Sequence, residues 1–143
     1  MKKTIKISII LLMIAALLAS LSSCKKEEAE IDELWKDAIY QSDTTLGNGS
    51  KTVKVEVKAG ETSVTFTIKT DKATLGEALT EHSLIEGDPG QYGLYIKKVN
   101  GITADYDVDK SYWGFYKNGE YMMTGVDSTN ISDGEHYELV YEK

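Results

Sequence analysis

Apolar and polar positions alternate with period two over much of this chain. Val53, Val55 and Val57 are separated by Lys54, Glu56 and Lys58; Val64, Phe66 and Ile68 are separated by Thr65 and Thr67. Each run reads as a half-buried strand, and Ala59-Gly60-Glu61-Thr62 between them reads as the turn of a hairpin. The period then changes. Thr74 precedes Leu75-Gly76-Glu77-Ala78-Leu79, with Glu77 three residues after the threonine, which is a capping box. Leu75, Ala78, Leu79 and Leu84 are the expected buried stripe of one short helix, and Gly87-Asp88-Pro89-Gly90 is expected to end that segment.

Leu94 to Val99 is a third strand and Asn100-Gly101 a second strong turn, after which comes Ile102 to Val108. Tyr112 to Lys117 is a strand that ends in Asn118-Gly119, the dipeptide that best tolerates positive φ at both centres of a tight turn. Glu120-Tyr121-Met122-Met123 starts the return. His136 to Tyr141 is a final alternating strand after the Asp133-Gly134 turn. Upstream of the hairpin, Ile31, Leu34, Trp35, Ala38 and Ile39 recur at helical spacing. Trp35 to Tyr40 also fits an extended arm laid along a sheet, the helix being the slightly better match. Ser42 to Ser50 is a loop by composition.

The order is therefore hairpin, helix, further strands, and a strand last. It predicts an α+β fold of the β-grasp kind, a mixed sheet packed on one short helix. Elements do not alternate strictly, which argues against a doubly wound parallel sheet.

The first 23 residues have a different character. Lys2, Lys3 and Lys6 precede eleven apolar residues from Ile9 to Ala19. That run is shorter than the about 20 residues a spanning helix needs, but it suits a secretory signal. It ends in Leu21-Ser22-Ser23-Cys24, which resembles the bacterial lipobox. The resemblance implies a lipoprotein signal peptide at 1–23 and a Cys24 that is diacylated, becomes the new N-terminus and anchors the chain to a membrane. The expected location is the extracytoplasmic face of the cell membrane. Residues 24–50 then serve as anchor, tether and arm, and 51–143 as the folded domain. Cys24 is the sole cysteine, so no disulfide framework is available.

Charge narrows the function further. All 16 basic residues are lysine, against 23 acidic ones. Loss of the signal segment would leave a net charge of −10. An acidic chain without arginine lacks the bidentate fork that grips phosphate and guanine, and nucleic acid is excluded as a partner. Asp105, Asp107 and Asp109 open like a calcium loop, but Lys110 stands where glycine is needed and Tyr116 where a bidentate glutamate is needed. In a strand the three aspartates would share one solvated face. His82 and His136 lie 54 positions apart with no ligand-spaced partner. No Gly-x-Ser-x-Gly occurs and the one thiol belongs to the anchor. Neither an enzyme nor a metal or cofactor site is expected.

What remains distinctive is aromatic. Four of the thirteen aromatic residues fall within Ser111 to Glu120. Trp113 and Phe115 share one face of that strand and Tyr112 and Tyr116 the other. A strand aromatic on both faces is either central to a core or reserves one face for a ligand, and the pattern supports both. If Trp113 and Phe115 face the core, the binding surface falls to Tyr92, Tyr95, Tyr112, Tyr116, Tyr121 and Met122 or Met123. These side chains suit a flat, partly apolar ligand.

Trp113, Asn118-Gly119-Glu120, Gly125-Val126-Asp127 and Asp133-Gly134-Glu135 together resemble the C-terminal β-domain of transcobalamin and intrinsic factor. Bacterial lipoproteins of the DUF4430 family look closer still, including the Thr74 to Leu79 helix start. The similarity covers about Lys51 to Glu142. It implies a soluble-ligand-binding β-grasp domain, with Trp113, Gly125, Val126 and Asp127 facing the ligand and a corrinoid such as cobalamin as candidate. The large helical barrel that grips the corrinoid in those carriers has no counterpart here, which implies weaker or shared binding. The expected function is capture of a soluble ligand for delivery to a membrane transporter. The alternative is a surface module that binds a protein or glycan, through an unpaired outer strand for example.

Overall fold

The computed structural model describes residues 33–143. Cys24, the signal segment and the start of the tether lie outside the described residues. In chain order the elements are β1 (Thr44–Gly47), β2 (Lys51–Ala59), β3 (Thr62–Thr70), α1 (Leu75–Glu81), β4 (Ile85–Gly90), β5 (Gly93–Val99), β6 (Ile102–Thr103), the single helical turn α2 (Tyr106–Asp109), β7 (Tyr112–Lys117), β8 (Glu120–Tyr121), a 3-10 turn (Val126–Ser128) and β9 (His136–Glu142).

Six strands form one mixed sheet in the order β1-β3-β2-β9-β7-β8, and β4-β5-β6 form a smaller antiparallel sheet. The period-two pattern explains the larger sheet. Val53, Val55 and Val57 of β2 stand opposite Ile68, Phe66 and Val64 of β3, and all six are buried. β9 lies parallel to β2 and adds Tyr137 beside Val55 and Leu139 beside Val57. β7, antiparallel to β9, sets Phe115 opposite Leu139 and Trp113 opposite Tyr141. Central β2 and β9 running parallel, with α1 on one face, is the β-grasp arrangement. The opposite face is polar, with Lys58 paired to Glu138 at 2.6 Å.

The capping box forms as read. The Thr74 hydroxyl accepts from the Glu77 N–H, and the Glu77 carboxylate accepts from the Thr74 N–H at 3.1 Å, an arrangement that stabilises a helix start by about 1 kcal/mol. The helix buries Leu75, Ala78 and Leu79. It stops at His82, after which Ser83 takes a left-handed φ of 54°.

Four expectations change. Ser42 to Ser50, read as loop, contains β1, which pairs with β3 so that Thr44 sits beside Phe66 and Leu46 beside Ile68. Four residues are too few to show a period, and parallel pairing is supplied by a distant strand. Gly87 to Gly90 does not end the segment but continues β4, an outer strand. Pro89 is tolerated there because an edge position needs no N–H on its outer side. Ile102 to Val108 divides into two-residue β6 and α2. Asp105 starts that turn by accepting from the Asp107 N–H at 3.0 Å, and Lys110 ends it at φ 69°. The aspartates are thus caps and turn residues, not a row on a strand.

The arm combines both readings. Residues 33–35 are helical, and buried Trp35 donates its Nε1–H to the Ala59 carbonyl at 3.0 Å. Beyond it the chain turns, with Ala38 N–H on the Trp35 carbonyl at 3.1 Å, and is laid against the fold: Ile39 N–H bonds the Asn100 carbonyl at 2.9 Å, and the Tyr40 ring meets Phe66 edge-on at 5.5 Å. The folded unit therefore starts before Lys51.

Candidate ligand-binding cleft

The two sheets do not join. Between β5 of the small sheet and the β7–β8 hairpin of the large one lies a cleft of about 350 Å³. Its end is formed by the stretch from Met122 to Val126. Buried Trp113, Phe115, Ile96 and Val126 make its floor. Tyr92, Tyr95, Tyr112, Tyr121 and Met123 make an exposed rim, with Tyr92 at 79% and Met123 at 85% exposure. Gly90, Gln91, Gly93, Leu94, Met122, Thr124 and Gly125 complete the lining. None of these sixteen residues is charged or a histidine, in a chain where 27% of residues are charged. A neutral aromatic concavity rejects a bare ion and accepts an organic ligand with apolar faces.

Each wall follows from local chemistry. The Asn118-Gly119 turn, with φ of 51° and 81°, folds β8 back against β7, and Tyr116 meets Tyr121 edge-on at 5.4 Å. β8 then ends after two residues, leaving the floor open beyond it. The far wall is held by Asp127, whose Oδ1 accepts from the Leu94 N–H at 3.1 Å. Gly93 and Gly125 make that approach available: a Cβ on either would lie 2.4 and 2.8 Å from the same oxygen, and Gly93 also has a φ of 106°.

The structure brings together Trp113, Tyr112, Tyr95, Tyr92, Tyr121, Met122, Gly125 and Val126 around the cleft, and leaves two of the sequence-singled residues outside it. Tyr116 lies on the outer face, where its hydroxyl donates to Glu142 at 2.8 Å. That bond, with burial behind it, pushes its phenol up to about 12. Asp127 lies against α1 instead, in a neighbouring depression. It shapes the cleft without lining it. Leu94, Ile96 and Gln91 are cleft residues that the sequence reading does not single out; it takes Leu94 to Val99 as a strand and only Tyr95 of it as a binding candidate.

Trp113 is at once part of the core and part of the cleft lining. It is 8% exposed and packs edge-on against Tyr141 at 5.7 Å, yet it forms part of the cleft. Its Nε1–H is buried with no hydrogen-bond partner among the described residues. A buried donor left unmet costs about 1–3 kcal/mol, so this position is one where a partner would be stabilising.

The remaining polar clusters are structural. Asp109 accepts from the Ser111 hydroxyl at 2.5 Å and from Lys143 at 3.1 Å. These bonds, that of Ser111 first, hold its carboxyl down at about 2. Among the described residues no three His, Cys, Asp or Glu side chains gather in a way that would hold a metal ion.

Comparison with known proteins places the fold. A crystal structure of a protein from Ruminococcus gnavus ATCC 29149, for which metal binding has been suggested, is 37% identical with a TM-score of 0.62. The match covers 66% of this chain and 98% of that one. Haptocorrin in complex with Cbi is 22% identical with a TM-score of 0.49, over 68% of this chain and 26% of haptocorrin. No curated protein matches. The family described as "Domain of unknown function (DUF4430)" matches residues 72–143, half of the chain, and takes in α1, both sides of the cleft and β9. This chain belongs to the DUF4430 family.

Proposed function

We propose that this chain is a lipid-anchored extracytoplasmic binding module that uses the cleft between β5 and β7 to hold a neutral organic ligand. The observation that carries the reading is the lining itself: six aromatic residues and two methionines, with no charge among sixteen residues. Tyr and Trp offer large contact area at small entropic cost, and thioethers adapt to irregular apolar shapes. The resemblance to the β-domain of the cobalamin carriers makes a corrinoid the leading candidate. A corrin macrocycle exceeds a cleft of about 350 Å³, so the domain would cover one edge of it and leave the rest to solvent or to a membrane transporter that receives it.

The metal binding suggested for the Ruminococcus protein suits this chain best as a metal carried inside a macrocycle, since the cleft has no carboxylate or imidazole. The anchor fits delivery. Eight residues separate Cys24 from Glu33, a reach of up to about 30 Å, which keeps the domain close to the membrane surface.

The test is calorimetric titration of the mature chain, residues 24–143 with Cys24→Ser, against cyanocobalamin and cobinamide. Expected is saturable binding that Trp113→Ala weakens at least about 10-fold while Tyr116→Phe, outside the cleft, leaves it unchanged. No heat with either compound would sink corrinoid capture. The exposed Tyr92, Tyr121 and Met123 rim would then favour a protein or glycan partner.

A further inference from the structure

Strand β7 is hydrogen-bonded along its length on one side and only at its end on the other. β8 pairs with Tyr116 and Lys117 alone, and one more bond, from Met122 N–H to Phe115 C=O at 2.9 Å, extends the contact by a residue. In antiparallel sheets the backbone groups of successive residues point alternately to the two neighbours. Asn118 N–H bonds His136 C=O, which sets the even-numbered residues toward β9; the Phe115 bond sets the odd-numbered ones toward β8. Trp113 therefore directs its N–H and C=O away from β9, to where β8 has already ended. Among the described residues no hydrogen bond meets either group.

That place is the cleft. On its far wall β5 is also short of a partner, since β6 pairs only with Lys98 and Val99, with one further bond from Ala104 N–H to Lys97 C=O. The indole Nε1–H of the same tryptophan is unmet as well. One residue, 8% exposed, thus holds two donors and one acceptor without partners among the described residues.

We infer that the free edge of β7 at Trp113 recognises a primary carboxamide. The amide oxygen accepts from the Trp113 N–H and the N–H syn to that oxygen donates to the Trp113 C=O, in place of the C=O and N–H that one residue of a longer β8 would offer. A carboxylate or an ester can answer only the donor, an ammonium only the acceptor, and a charge would be desolvated between neutral walls. The inference rests on the reading of this cleft as a ligand site and names what the ligand presents there. The side-chain carboxamides of a macrocycle present that donor and acceptor, and an extended peptide presents the same pair as the C=O and N–H of one residue.

The test uses the mature Cys24→Ser chain, labelled with ¹⁵N, and acetamide as the minimal probe. Expected is a saturable downfield shift of the Trp113 backbone amide, with N,N-dimethylacetamide, which has no N–H for the carbonyl, at least about 3-fold weaker. Equal response to both probes, or no response at Trp113, overturns the inference. Trp113→Phe keeps the backbone edge and removes the indole donor. The backbone response at position 113 should persist in that variant, and its disappearance would also overturn the inference.

Cobinamide and the capped peptide Ac-Thr-Val-Thr-NHCH3, which has no primary carboxamide, then separate the sources by which one moves the Trp113 amide at lower concentration. Cobinamide bound without that shift would remove the amide edge and spare the corrinoid reading. An acetamide response without cobinamide binding would spare the edge and sink the corrinoid.

Discussion

The Asp127 carboxylate accepts the Leu94 amide proton at 3.1 Å, joining residues 33 positions apart. It ties the Gly125 loop to the start of β5 and so sets the width of the cleft at one end. Asp127→Ala should cost about 0.5–1.5 kcal/mol, as for one exposed hydrogen bond, and speed hydrogen exchange of the Leu94 amide selectively. Unchanged Leu94 protection would mean that the loop is held by other contacts.

Asn100 has a comparable role at the other end of the small sheet. Its side-chain amide donates to the Tyr40 carbonyl at 2.8 Å and accepts from the Tyr40 N–H at 2.9 Å. It is fully buried and has a φ of 50°. Asn100→Ala should destabilise by about 2–4 kcal/mol, from lost bonds and left-handed strain together. Asn100→Gly relieves the strain alone and should fall between. A glycine variant as stable as the parent in urea unfolding would show that the amide bridge contributes nothing.

Stability should fall at alkaline pH for a stated reason. The Tyr116 hydroxyl bond to Glu142 raises its phenol to about 12, and burial, then the bond to Glu135, raises Tyr137 as well. Groups raised in the folded state contribute fully below the unfolded value near 10 and lose that contribution as pH climbs toward the folded one. Ultraviolet titration should show phenols ionising late, and Tyr116→Phe should remove the component near pH 12. A titration complete by pH 11 would contradict the Glu142 bond.

The acid limb has the opposite sign. Asp109 is held down at about 2, chiefly by the Ser111 hydroxyl and then by Lys143. A depressed carboxyl stabilises above the ordinary value near 4 and loses that effect as pH falls through 2. Asp109→Asn should flatten this part of the stability curve, measured by thermal unfolding from pH 5 to pH 2. An unaltered slope would show that these bonds do not persist in solution.

The proposed anchor gives a prediction in cells. Cys24→Ser should abolish incorporation of labelled palmitate and move the protein from the membrane fraction to the soluble one. Retention at the membrane would point to a different tether.

Much of this molecule was legible because its signals are local. Alternating valines mark β2, Thr74 and Glu77 mark the start of α1, and Asn118-Gly119 requires a left-handed turn whatever lies around it. Each depends on residues within a few positions of one another. The cleft was partly legible for the same reason: exposed tyrosines and methionines cluster in two short stretches of sequence.

What the tertiary structure decided is which distant pieces meet. β1 exists because Thr44 finds Phe66, and Asp127 left the set of ligand-facing candidates because its carboxylate meets Leu94. Tyr116 and Tyr112 look equivalent along the strand, yet Glu142 takes one and the cleft the other. The sequence by itself determined the elements and the chemistry available at the aromatic strand. The fold alone decided that β8 stops short beside β5, and it is this long-range geometry, carried by no local spacing, that turns an aromatic strand into a cleft with unmet hydrogen-bonding groups.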